Sequence, residues 1–595
     1  MQILFHTDAY ALPHRVSIRR GTEVPTDEYQ GLYRDGTWTF VLPDDFAGSY
    51  VLVLDGMSAS AGLDAAVRDI GEDDVKFERP PLLPDCGTLQ QAWFPVNTAQ
   101  DPWDVIVVGG GMAGSTLVFG LAFGHNHLKV LGIEAGPLLL PTHAGNLPRR
   151  LWPASGGQAS TLWGLYDDFG VQPYQAPQQW QGRQIFALGG RSLMWGGLAP
   201  RLTTQDRKSW PQPVVDELMH SWYPAAEDLL CVGSPQPSGP ETRATTMLMQ
   251  LPSLAGRTVR PAPVAVQREK KSSWEISSGM FSSTDLILDA RLRVPSGGDA
   301  DTENWAPFVH LSELVTHIEK QADGTWAVHT VNVSDGQLRP PYHARKVVLA
   351  AGTIETTRIA LASGLGGALV GKGFTEHDMW WVHFQLPESS PYYTTKHSIK
   401  LLSEPADDTA ADWNLQVEVN CDLNEARHTP SQLRQPVMAV APGMVAGQLV
   451  FLCRTPLRED QRVEAIPSSR WPGFNMSDDT SLPAISLVLA DDDDAPAPMQ
   501  DVADSVLQAL QAQALPNSDL QLHRAGRGFV AHEVGTMRMG TDPSSSVVGM
   551  DHQVHGADGL YVCDNSVFPL SPAANPSLTV CALALRLAAQ LDSSP

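Results

Sequence analysis

Two rhythms of apolar residues run along this chain. After Asp104, Val105-Ile-Val-Val is continuous and β-branched, the pattern of a parallel strand buried on both faces. Three glycines, Gly109 to Gly111, follow at once. Residues 115–123 then read as a helix, 125–127 as a turn and 129–134 as a second strand, giving a β–turn–α–β unit. Lys346-Val-Val-Leu-Ala-Ala is another apolar strand, ending at Gly352 before a helix over 354–362. Residues 559–563 read as a short strand and 576–591 as a strong helix. Upstream, Thr39-Phe-Val-Leu and Ser49-Tyr-Val-Leu-Val-Leu look like two strands around a polar Pro-Asp-Asp turn. Pro80-Pro-Leu-Leu-Pro reads as a linker, so residues 1–97 read as a small β-rich accessory unit or, alternatively, as an N-terminal extension that covers the main body. Residues 202–300 and 380–525 are rich in Trp and Pro and mixed in period. Asp491–Asp494 within them reads as a solvated loop. No internal repeat is present.

Composition narrows the classes. Asp plus Glu outnumber Lys plus Arg by 66 to 41, a net charge of −25 that a nucleic-acid backbone or an anionic bilayer would repel. With 43% apolar and 18% charged residues over 595 positions, the chain is globular and long enough to bury a large core. The cysteines at 86, 231, 421, 453, 563 and 581 make no C-x-x-C pair and no zinc spacing, which suggests buried thiols in a reducing compartment. The first twenty residues hold no apolar signal core, so a cytoplasmic location is expected. The uncharged stretch from Val105 to Gly124 has the length of a membrane span, but the glycines divide it between two elements.

The chemistry begins at Gly109-x-Gly111-x-x-Gly114. In a strand–turn–helix context the first glycine allows the tight turn, the second lets a pyrophosphate approach the backbone and the third lets helix pack on strand. Glu134, about twenty residues on, stands where a carboxylate accepts from an adenosine ribose. The motif indicates a dinucleotide without choosing NAD or FAD. Leu188-Gly-Gly-Arg-Ser-Leu-Met-Trp-Gly-Gly197 suits a loop lying against a large flat ring. Near the end stand Ala531-His-Glu-Val-Gly-Thr-Met-Arg-Met-Gly540, Asp564-Asn-Ser-Val-Phe-Pro569 and Ala573-Ala-Asn-Pro-Ser-Leu-Thr579. Asn575 reads as an N-cap with Pro576 at the first helical position.

Together with Val347-Val-Leu-Ala-Ala-Gly-Thr-Ile-Glu-Thr-Thr-Arg358 and Val370-Gly-Lys-Gly-Phe-Thr-Glu-His-Asp378, these segments make the chain resemble the glucose–methanol–choline (GMC) oxidoreductases. These are flavoproteins that oxidise alcohols, and the resemblance runs over roughly residues 100–595. It implies an α/β (α+β) fold: a discontinuous Rossmann-type FAD-binding domain (101–201, 301–378, 526–595) and a substrate domain (202–300, 379–525) with a mainly antiparallel sheet and flanking helices. It also implies FAD contacts from Gly109, Gly111, Met112, Ala113, Gly114, Glu134 and Ala135; from Gly189, Gly190, Ser192, Met194, Trp195 and Gly196; from Val315, Ala351 and Gly352; and from Asp564, Asn565, Asn575, Pro576 and Ser577.

Within the family the pattern is similar to the pyranose oxidase and bacterial sugar dehydrogenase branch, which pairs a histidine with the asparagine of an A-N-P-[ST]-L-T run. Here those residues are His532 and Asn575, implied as the catalytic pair: His532 the base that takes the hydroxyl proton while hydride passes to flavin N5, Asn575 the amide that holds the oxygen. Fungal pyranose oxidases attach flavin through a histidine in S-T-H-W. The matching segment is Ser192-Leu-Met-Trp195, with Met194 at the histidine position, so a non-covalent FAD is expected. The donor is a sugar, glycoside or other alcohol, and the acceptor oxygen or a quinone. A homo-oligomer is possible on the long middle segments, while nucleic acid and membrane are not expected partners.

Other readings are weaker. His125-x-His127 lacks further metal ligands, so no metal site is expected. His552 and His555 read as structural. No G-x-S-x-G elbow exists. A non-sugar alcohol keeps the same chemistry. A redox-silent flavin protein using residues 1–97 for interactions is opposed by the intact His532–Asn575 pair.

Overall fold

The computed structural model describes the strands between residues 2 and 70, and residues 102–593 apart from 125–127, 147–169, 234–237, 268–278, 293–306, 396–397, 408–411, 421–439, 470–481 and 491–498. The Pro80–Pro84 linker, the 125–127 turn, the acidic run at 491–494, Cys86 and Cys421 lie outside the described residues. The chain separates into two compact units, Met1–Trp93 and Phe94–Pro595.

The first unit holds two four-stranded sheets. Leu32–Arg34, Thr37–Val41, Gln2–His6 and Asp69–Ile70 form one; Glu28–Gln30, Val16–Arg20, Gly48–Leu54 and Met57–Leu63 form the other. Both strands expected around the Pro-Asp-Asp turn exist, but they are not a hairpin. Thr37–Val41 pairs with Gln2–His6, and Gly48–Leu54 with Val16–Arg20 and Met57–Leu63. The Pro-Asp-Asp segment itself lies outside the described residues.

In the second unit a parallel sheet runs in the order Phe308–His310, Val130–Ile133, Trp103–Val108, Tyr342–Leu349. The last strand branches. Its C-terminal half pairs in parallel with Leu560–Val562, and its N-terminal half continues antiparallel into Trp326–Asn332 and Glu313–Lys320. Val105, Ile106 and Val107 are wholly buried, as a strand covered on both faces requires. Helix Met112–Ala122 packs on this sheet and against helix Ser577–Ser593. A Cβ on Gly120 would sit 2.8 Å from that of Ala588, so the two axes approach closely. The 102–124 stretch is therefore strand plus helix, and among the described residues no helix is long and apolar enough to cross a membrane.

A second sheet is antiparallel throughout, in the order Arg257–Pro261, Ile399–Pro405, Trp413–Val419, Met444–Cys453, Met379–Pro387, His523–Arg524. One face carries Val382, Phe384, Leu401, Leu415, Val417, Leu449 and Phe451. It packs on helices Gly239–Met249 and Gln500–Leu510 through Leu248, Val506, Leu507 and Leu510. The opposite face looks into a cavity shared with the parallel sheet. Residues of 202–230 and 281–287 pack instead into the core of the parallel sheet.

Candidate active site

The glycine turn is tight at two positions and open at a third. Gly109 has φ +103, and a Cβ there would lie 2.5 Å from the Ala350 carbonyl oxygen. On Gly114, in the first helical turn, a Cβ would lie 1.8 Å from the Gly109 oxygen. Gly111 meets nothing within 4 Å; it faces a cavity of about 730 Å³. Glu134 ties the turn to the next strand. Its two oxygens accept from the N–H groups of Gly110 (2.7 Å) and Gly136 (2.8 Å), and burial pushes its carboxyl up to about 7. Each oxygen keeps lone-pair capacity for a ribose hydroxyl.

Of the implied cofactor contacts, all but Gly114 and Gly189 line that cavity. Gly189, at φ +94, shapes the second loop; a Cβ would meet Thr284 Oγ1 at 2.2 Å. Ser192 and Asp564 line the cavity, but their polar atoms are engaged. Ser192 Oγ donates to the Gly189 carbonyl at 2.6 Å and accepts from Ser283 N. The Asp564 carboxylate accepts from Gly352 N, Thr356 Oγ1, Ser566 N and Ser566 Oγ. Trp195 is fixed by Nε1 donating to Phe281 O at 2.8 Å. The Val315 carbonyl accepts from Arg358 Nη2 at 2.6 Å.

Three helix N-termini meet the cavity: Gly111–Met112, Gly352–Thr353 and Pro576–Ser577. Each brings the partial positive charge of a first helical turn, although Gly352 N already donates to Asp564 and Pro576 carries no N–H. The expected cap at the last one is corrected by one residue. Val580 N donates to Pro576 O, so Pro576 is the capping position and Asn575 precedes it. This frees the Asn575 amide from a capping duty. An open backbone face at Gly111, a buried carboxylate and three N-termini around one elongated space fit an FAD-sized dinucleotide.

His532 and Asn575 both line the same cavity. His532 comes from a segment paired with residues 373–378: Thr375 and Val534 exchange backbone hydrogen bonds at 3.2 and 2.8 Å. Two residues along each antiparallel segment, His377 and His532 therefore face each other, with His377 Nε2 to His532 Nδ1 at 2.8 Å. His377 Nδ1 contacts the Pro572 carbonyl at 2.7 Å. The His532 N–H donates to Glu376 Oε1 at 3.1 Å, and Gly528 N to Glu376 Oε2. Arg191 clamps the neighbouring Glu533 with both guanidinium nitrogens (2.6 and 2.8 Å) and donates to Ala531 O. Burial, then the nearby His377 and Arg191, hold His532 well below the usual histidine range. The ring is thus neutral at pH 7.

The antiparallel sheet supplies the other wall. His383, Gln448, Glu418 and Lys400 stand directly opposite one another across four strands. Lys400 Nζ is 2.8 Å from Glu418 Oε1, Gln448 Nε2 donates to Glu418 Oε2 at 2.7 Å, and His383 bonds Gln448. Trp381 lies on the same face beside this row, next to His383.

Sequence reading missed His377, Glu376, Arg191 and the polar row. His377 and Glu376 were within reach, since they stand in a segment that itself matches the family. His552 contacts Val562 O, and His555 contacts Ser546 Oγ; neither lines the cavity. Among the described residues no cluster of metal-ligating side chains occurs, and Cys231, Cys453, Cys563 and Cys581 are free thiols.

Comparison with known proteins agrees with this architecture. Residues 475–584 match the GMC oxidoreductase family. The chain is 26% identical to a C-glycoside 3-oxidase of Microbacterium trichothecenolyticum (67% of this chain, 74% of that protein) and 25% identical to a paromamine 6′-oxidase of Streptomyces fradiae (82% and 90%). It is 22% identical to a pyranose 2-oxidase of Tricholoma matsutake (67% and 71%). In fold it is similar to a formate oxidase of Aspergillus oryzae RIB40, with TM-score 0.54 at 15% identity over 83% of this chain and 99% of that one. With the glycine turn, the shared cavity and these matches in agreement, the chain is an FAD-dependent oxidoreductase whose C-terminal segment matches the GMC oxidoreductase family.

Proposed function

We propose that this enzyme oxidises a CH–OH group of a sugar or glycoside to a carbonyl, with His532 as the base and a non-covalently held FAD. The observation that carries the reading is the convergence of His532, Asn575, the glycine turn and the polar sheet face on one cavity. Gly109 to Ala113, Glu134, Ala351 and the Pro576–Ser577 terminus would hold the cofactor. FAD, when bound, supplies a two-electron acceptor for the hydride.

His532, neutral at pH 7, takes the hydroxyl proton. Asn575, released from capping, donates its amide to the oxygen as it gains charge. The N-terminus of helix Ser577–Ser593 favours negative charge beside it. Met194 lines the cavity with a thioether, a side chain without the imidazole nitrogen that such an attachment uses.

The sugar assignment is supported by the three relatives and by the sheet wall. Trp381 gives an aromatic face, and Lys400, Gln416 and Gln448 give polar groups at one end of the cavity. The charged members of that wall, Lys400 and Glu418, are paired with each other, which suits an uncharged polyol ring.

The test is anaerobic flavin absorbance with monosaccharides, glycosides and simple alcohols, followed by air. Sugars are expected to bleach the flavin. In His532→Ala the bleaching rate is expected to fall on the order of 10²–10⁴-fold with FAD retained. A protein that binds FAD but is bleached by aryl alcohols and by no sugar refutes the sugar reading, and undiminished bleaching in His532→Ala refutes the base.

A further inference from the structure

We propose that His377 is a positioning residue for His532: it fixes the tautomer in which His532 carries its proton on Nδ1 and presents a bare Nε2 to the cavity. This inference rests on the reading of His532 as the base.

The argument is a count of donors and acceptors along a three-member chain. The Pro572 carbonyl oxygen can only accept, and it lies 2.7 Å from His377 Nδ1. The proton of a neutral His377 ring is therefore on Nδ1, leaving Nε2 as an acceptor. His532 Nδ1 stands 2.8 Å from that Nε2. Two bare nitrogens at this distance would repel, so His532 must donate from Nδ1. A neutral imidazole holds one N–H, and its Nε2 is then a lone pair. The ring lines the cavity, where a substrate hydroxyl would arrive. After proton transfer to Nε2 the Nδ1–H bond remains, and the lone pair of His377 faces the new imidazolium.

The surroundings keep both rings neutral. His377 is buried, and burial pushes it down to about 4. The charged groups near the pair are Arg191, which lowers His532, and Asp378, which favours protonation of His377. Glu376 is directed elsewhere, to the backbone N–H groups of His532 and Gly528, and Glu533 to Arg191. Among the described residues neither carboxyl group bonds a His532 ring nitrogen, so the orienting acceptor that the base requires is His377 itself. The backbone exchange between Thr375 and Val534 sets the register that places the two rings opposite each other.

The experiment compares His377→Gln, His377→Leu and His532→Ala, each purified with FAD bound. Glutamine is the discriminating variant, because its Nε2 can donate to Pro572 O while its Oε1 accepts from His532 Nδ1. Leucine removes both functions. Flavin reduction is expected to fall on the order of 10²-fold or more in His377→Leu, mostly in kcat with little change in KM, and to recover to within about tenfold of wild type in His377→Gln.

Nitrogen-15 NMR of histidine-labelled protein, assigned by loss of signals in His532→Ala, gives a readout independent of turnover. Wild type and His377→Gln should show a protonated Nδ1 and a bare Nε2 at His532; His377→Leu should show exchange between tautomers. A wild-type rate in His377→Leu, or a protonated Nε2 in the wild-type protein, overturns the proposal. If His377→Leu loses FAD, the Gln variant and the wild-type NMR spectrum still decide it. Undiminished reduction in His532→Ala overturns the underlying base instead, an outcome distinguishable from failure at His377 alone.

Discussion

Gly111 and Gly114 are three residues apart in one turn, yet substituting them should produce opposite failures. On Gly114 a Cβ would lie 1.8 Å from the Gly109 carbonyl oxygen, where ordinary contact begins near 3.4 Å. Helix Met112–Ala122 would have to retreat roughly 1.5 Å from the turn, and overpacking of this kind costs about 1–3 kcal/mol. Against that, Ala is favoured over Gly in a helix by about 1 kcal/mol. The obstacle is backbone, with no rotamer to swing aside, so Gly114→Ala should be net destabilising by up to about 2 kcal/mol. On Gly111 a Cβ meets nothing within 4 Å, and φ is −77, which any residue adopts. Gly111→Val should therefore leave the protein's own stability within about 0.5 kcal/mol, while its isopropyl group fills space meant for the dinucleotide. The assay is thermal unfolding of FAD-stripped protein, paired with the flavin-to-protein absorbance ratio of the same preparations. Gly114→Ala should lower the midpoint by about 1–2 °C, and Gly111→Val should leave it unchanged but strip the flavin. Full flavin content in Gly111→Val would refute the assignment of the open face at Gly111 to the cofactor.

Three further outcomes follow from the same geometry. Burial lifts Glu134 from 4.5 to about 7, so the folded state holds its proton more tightly than the unfolded one; the contribution, about 3 kcal/mol, is complete below pH 4.5 and lost as pH rises towards 7. The unfolding midpoint of FAD-stripped protein should fall with pH across that window less steeply in Glu134→Gln than in wild type. Arg191→Met should destabilise by about 3–5 kcal/mol in denaturant titration, because it leaves the buried Glu533 carboxylate without its bidentate partner. Trp381→Ala should raise KM for the preferred sugar about tenfold, equivalent to 1.4 kcal/mol, with flavin content unchanged; an unaltered KM would remove Trp381 from the substrate wall.

Much of the cofactor end was legible because its signals are local. Val105–Val108, the glycine spacing and Glu134 lie within thirty residues, and each has a short-range cause: buried β-branched residues, a turn with no room for a side chain at Gly109 or Gly114, and a carboxylate at a strand end. Part of the antiparallel sheet was equally present but passed unread. Trp413-Asn-Leu-Gln-Val-Glu-Val alternates without a break, Leu415 and Val417 facing the helices, Gln416 and Glu418 the opposite side. What obscured it was its setting, since the six strands are scattered from 257 to 524 and interleaved with helices. In the N-terminal unit the strands were visible and their partners were not, because a turn sequence does not say whether the chain folds back or crosses to another sheet.

Local sequence by itself determined the apolar strands and the glycine turn and, through the family resemblance, pointed to His532 and Asn575, which the fold brings to one cavity. Tertiary structure alone decided what surrounds that pair. His377 lies 155 positions from His532 and meets it only through the Thr375–Val534 pairing. Lys400, Glu418, Gln448 and His383 form a row only because four strands share one register. Proton placement depends on the donor or acceptor facing each nitrogen, and the charge of a carboxylate on its burial and partners. Both are properties of neighbours in space, which residue order along the chain does not contain.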